Sequence, residues 1–186
     1  GVSLVTVGGG RVLVAPREVQ DLVFRCARVA GLDAGAADRV GRNVTAAEVQ
    51  LGGAVEVFVA VLDDPNRMLV EYGDGPDAMV SAEVEARAAG YGIATFGVPT
   101  PMAALASVIA DIGDRGLGVD GVPEGATAAT VVDVLRVGGP AGSGADGAAV
   151  RAAREGLAVD RRAFDALILA AKSFLVAESI LDGIED

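Results

Sequence analysis

Gly142-Ser143-Gly144-Ala145-Asp146-Gly147 is the segment whose residue types and spacing best fit a chemical task. It reads G-x-G-x-x-G. In that pattern glycines let the main chain approach a dinucleotide pyrophosphate, and the N-terminus of the following helix offsets its charge. The pattern works after a strand and before a helix, with an acid for the ribose about 20 residues on. Residues 130–137 are rich in β-branched side chains and read as that strand. A short helix ending at Gly156 follows the loop, and residues 157–159 read as a further short strand leading to Asp160. Gly142, Gly144 and Gly147 are thus candidate cofactor-binding positions for NAD(P), with Asp160 as the ribose-binding acid. The competing reading is a surface loop. With 26 glycines in 186 residues, chance supplies roughly 0.5 such matches per chain, and Asp146 would set a like charge beside a bound phosphate.

Other chemistry is bounded by what the chain lacks. It has no histidine, so no imidazole can bind a transition metal or activate a serine or cysteine. Ser143 lies in Gly-Ser-Gly, outside the G-x-S-x-G elbow of the hydrolases. Cys26 is the single cysteine; it cannot form an internal disulfide, and its apolar helical position reads as a buried structural thiol. Asp111, Asp114 and Asp120 offer oxygens to a hard cation but match no calcium-loop spacing, so no metal is expected. Gly8-Gly9-Gly10 before Arg11 allows an anion nest or a plain hairpin turn. Asp133, inside an apolar strand, needs a partner such as Arg136 or an exposed strand face.

The net charge of −11 and a sequence pI near 4.4 argue against nucleic acid and anionic membranes as partners, since phosphates are repelled at long range. Hydrophobic residues make up 52% and aromatics 4%, with no tryptophan. A core is therefore affordable, built from small aliphatic side chains. The strongly apolar run at residues 166–171 is too short to cross a bilayer. No basic segment followed by an apolar one opens the sequence, so the expected location is the cytoplasm.

The elements that must position these residues follow from periodicity. Residues 3–7 and 11–15 flank the glycine triplet as a strand pair. Pro16 opens a helix with Val19, Leu22, Val23, Cys26 and Ala30 on one face, and Gly31 ends it. A second helix follows Asp33, with Ala37, Val40, Val44, Ala47 and Leu51 in line. Residues 54–62 fit a strand or a buried helix. Residues 68–72 read as a strand, 81–89 as a helix, 91–98 as extended and 101–112 as an apolar helix. The last helix, from about residue 159 to 181 and capped by Asp160, carries Phe164, Leu167, Ile168, Ala171, Phe174, Leu175, Ile180 and Leu181 as a broad apolar band. The expectation is an α+β fold in one domain over residues 1–186: an N-terminal helical hairpin, a small mixed sheet and a long C-terminal apolar helix.

Two resemblances stand on quoted residues. Val14-x-x-x-Glu18-Val19-x-x-Leu22-Val23, Ala30-Gly31-Leu32, Ala37-x-x-Val40 and Ala47-Glu48 resemble the opening helices of the malate/lactate-type, non-Rossmann nicotinamide dehydrogenases. That family continues A-D-x-R-G-x-D-S-H-G and carries its catalytic histidine there. In this chain Gln50 and Val55 replace the arginine and the histidine, so the likeness does not bring that activity. Together the two ends are more similar to a bacterial domain-of-unknown-function family, through the helix pair and through Val159-Asp160 and the stretch from Ala170 to Ser179. That likeness implies no activity. The apolar, aromatic-poor composition and the missing set of catalytic side chains favour a non-catalytic or accessory subunit of a bacterial cytosolic enzyme assembly, acting by association with itself or with a partner enzyme. The alternative is a small-molecule enzyme, an NAD(P)-dependent oxidoreductase using the loop from Gly142 to Gly147.

Overall fold

Gly9 and Gly10 take φ of +82° and +74°, a backbone that glycine adopts without strain. They fold β1 (Val5–Val7) back onto β2 (Arg11–Val14), antiparallel, with Val7 opposite Arg11. Pro16 starts α1 (Pro16–Val29), where its missing N–H is no loss. The Asp33 carboxylate accepts the Ala36 N–H at 2.8 Å and starts α2 (Ala34–Leu51). Val19, Val23 and Cys26 on α1 and Val40, Val44 and Ala47 on α2 are buried. The two helices pack tightly at Gly41, where a Cβ would lie 2.8 Å from the Gln20 carbonyl oxygen. The computed structural model describes residues 5–142 and 147–182, with side chains as far as Phe174.

Of residues 54–62, the first six form the helix α3 (Ala54–Val59) and the rest a turn. Gly52 and Gly53 turn the chain at φ +73° and +72°. The buried Glu48 carboxylate then accepts the Ala54 and Val55 N–H groups at 2.5 and 3.1 Å, which caps α3 from the end of α2. The strand expected at 68–72 is corrected. Asp64 caps α4 (Pro65–Met68), a π-turn spans Leu69–Asp74, and α5 (Gly75–Ala89) completes one helical run. Pro76 has no N–H to hold an ordinary α-turn, and the hydrogen-bond register widens just before it. Met68 and Tyr72 are buried on this run, and Tyr72 meets Phe58 edge to face at 5.2 Å.

β3 (Tyr91–Pro101) runs further than expected, so the helix expected from residue 101 is shortened. Pro99 and Pro101 disfavour the helical region for the residues before them. A 3₁₀ turn at Met102–Ala104 intervenes before α6 (Ala106–Asp114). β4 (Leu117–Asp120), β5 (Val131–Pro140), α7 (Ala148–Glu155), β6 (Leu157–Asp160) and α8 (Arg161–Asp182) follow.

The chain is α+β, but the expected mixed sheet is corrected to two three-stranded sheets, ordered β1-β2-β6 and β3-β5-β4, with every pairing antiparallel. β2 recruits β6 from the far end of the sequence, Val12 opposite Val159, a long-range pairing that local periodicity does not encode. The terminal helix is also corrected in character. Over its described side chains α8 is amphipathic: Phe164, Leu167 and Ala171 are buried, whereas Leu169 is 69% exposed. Leu175, Ile180 and Leu181 lie beyond the described side chains. One continuous core joins both sheets to the helices.

Candidate functional site

The face of the β3-β5-β4 sheet that turns away from the helices carries an unusual pattern. Along β3, Gly92, Ala94 and Phe96 point inward, while Tyr91 and Ile93 are 52% and 43% exposed. Over residues 91–94 the small residues face the core and the large apolar ones face solvent. The inner side explains the choice: α5 lies so close that a Cβ on Gly92 would collide with the Ala82 carbonyl oxygen. On β5, Val134 (49% exposed) stands opposite Thr95, and Arg136 opposite Ile93. The Arg136 guanidinium lies over the Tyr91 ring, 5.0 Å from its centroid, a cation–π contact between neighbouring strands. Asp120 on β4 is the other register partner of Arg136. Asp133 is exposed where the β3–β5 register shifts, so solvent meets its carboxylate.

Tyr91, Ile93, Val134 and Arg136 therefore share one surface that the sequence reading did not single out. The signal was present but inverted. Periodicity points the larger apolar residues of a strand at the core, and only the alternation of Gly92 and Ala94 with Tyr91 and Ile93 marks the opposite arrangement.

The glycine-loop candidates lie only partly within the described residues. Gly142 and Gly147 flank residues 143–146, and Gly144 lies outside the described residues. The strand before the loop, β5, and the strand after α7, β6, belong to different sheets. β5, α7 and β6 therefore do not form the parallel strand–helix–strand unit that aims a dinucleotide fingerprint. The Asp160 carboxylate accepts the Ala163 N–H at 3.0 Å as the cap of α8. Val55, at the place of the dehydrogenase-like histidine, is fully buried in the core.

Other clusters resolve into internal bracing. A groove of about 110 Å³ along α6 is lined by Arg39, Arg42 and Arg115 together with Asp111. Arg39 pairs with Asp77 at 2.7 Å, Arg42 with Asp38 at 3.2 Å, and Arg115 grips Glu83 with two nitrogens at 2.8 and 2.6 Å. The Arg115 guanidinium, with that of Arg87, holds the Glu83 carboxyl below its usual range. The first N–H groups of α6 are also occupied, since Asn43 Oδ1 accepts those of Ser107 and Val108 at 2.9 and 3.2 Å. A broad concavity of about 890 Å³ over the outer side of α1 is lined by charges of both signs, including Arg17, Glu18 and the Asp21–Arg25 pair. Asp111, Asp114 and Asp120 do not converge, and no metal-holding group of three acidic or thiol side chains stands among the described residues. Cys26 is buried; burial pushes its thiol up to about 12, and its Sγ donates to the Leu167 carbonyl at 3.4 Å. No known family, curated protein or solved structure matches the chain.

Proposed function

We propose that this chain is an accessory subunit that works by protein–protein association, with the outer face of β3 and β5 as its contact surface. The observation that supports the reading is the outward-facing set of Tyr91, Ile93 and Val134, backed by a β-strand whose inner side is already filled by α5. Apolar side chains grouped on a sheet face, with an aromatic and an arginine in contact, match the composition that interfaces favour. The histidine-free sequence and the internally paired arginines fit a role carried by packing.

The test is a double substitution, Tyr91→Ser with Ile93→Ser, in light scattering and native mass spectrometry. Both positions are half exposed, so the circular dichroism spectrum should stay native while the assembly shrinks. A strict monomer with no co-purifying partner before substitution would end this reading. For the oxidoreductase alternative, stabilisation by NAD(P)H in a thermal scan, lost when Gly142 or Gly147 is replaced, is the result that would restore it.

A further inference from the structure

Resting on that reading, we infer that the partner is a second copy of this chain, joined edge to edge through β3 so that Tyr91 and Ile93 of the two copies stand side by side on one continuous outer face. β3 is the last strand on its side of the sheet. Among the described residues no main-chain hydrogen bond reaches its outer side between residues 91 and 98. An unpaired edge is a template for another strand, and natural proteins usually blunt it with charge, proline or a bulge. Over residues 91–98 β3 carries neither a charge nor a proline. The blunting devices come later: four β3 residues oppose one β5 residue where the register shifts after Thr95, and Pro99 and Pro101 follow. The pairing-competent edge is thus confined to about six residues, the usual length of a strand.

Charge selects the partner. The chain bears −11, so two copies repel at long range. Contact between copies is admissible only along a neutral seam, and β3 supplies one. The nearest charges on this face, Asp133 and Arg136, lie on β5, one strand inside the edge. In a two-fold sheet of order β5-β3-β3-β5 they would stand about 14 Å from their counterparts, three strand spacings, which exceeds the screening length in physiological salt. A basic partner would instead be steered by carboxylates at the contact, and the edge presents none. Edge pairing alone is a small interface, so a reversible dimer is expected in the micromolar range.

Sedimentation velocity of the full chain from roughly 1 to 300 µM should show a monomer–dimer equilibrium that tightens as salt rises, because screening relieves the mutual repulsion. Ile93→Lys should weaken the dimer at least about tenfold, while Val84→Lys, at a 65% exposed site on α5, should not. Single cysteines at positions 91, 93 and 95 should cross-link under mild oxidation far better than one at 84; the native Cys26 is buried and does not compete. A chain that is monomeric throughout, or a dimer untouched by Ile93→Lys, overturns the inference. If that monomer holds a heterologous partner through Tyr91 and Ile93, the inference falls while the association reading stands.

Discussion

The Cys26 thiol stands in the core against the Leu167 carbonyl, and burial disfavours its thiolate. We expect aromatic disulfide reagents to leave it untouched in the folded protein and to titrate it fully in denaturant. Fast labelling of the folded chain would contradict its placement. Glu48 and Asn43 cap helices other than their own, so removing either leaves buried N–H groups without acceptors. Glu48→Ala and Asn43→Ala should each lower stability by about 1–3 kcal/mol in urea melts. The two buried acids have opposite pH signatures. The carboxyl of Glu83 is held low by Arg115 and Arg87, so its contribution is present above the ordinary carboxyl range and is lost as pH falls through its folded value. Glu83→Gln should therefore cost stability near pH 7 and little near pH 3, in paired melts. Glu48 is raised by burial, so its ionisation works against folding as pH rises through the carboxyl range. Caps whose partner lies three residues on, at Asp33 and Asp160, are legible in the sequence because the motif is local. The Asn43 cap joins residues 64 apart, and no local pattern announces it.

Elements with a clean period were legible: α1 and α2 show their buried faces in the order of their apolar residues. Within the run at 65–89 the helix expected at 81–89 was legible, but its earlier part was not, because a π-turn before Pro76 shifts the helical phase and leaves 68–72 with the look of a strand. β3 misleads in another way, since its small residues face inward to admit α5. That closeness gives a sharp expectation. Gly92→Ala should destabilise by about 1–3 kcal/mol through overpacking, although alanine is ordinarily harmless in a half-buried strand. Gly41→Ala should act alike by prising α1 from α2. Thermal melts that match the parent for both variants would show that the helix packing is looser than described.

For the whole molecule, composition and the α+β mixture were readable, whereas the division into two sheets was not, because it depends on β2 finding β6 across most of the chain. The outer face of the second sheet lay hidden for the same reason: which side of β3 faces water is settled by α5 and β5 together. The first sheet has a consequence for biosynthesis. Most of the polypeptide lies between β1-β2 and their partner β6, and the Arg161 N–H closes onto the Gly10 carbonyl at 2.9 Å. During translation β2 must wait as an open strand until residues 157–160 leave the ribosome, a long exposure for Val12 and Val14. Nascent chains arrested before β6 should be digested readily by protease, and resistance should arise only once that final strand has emerged.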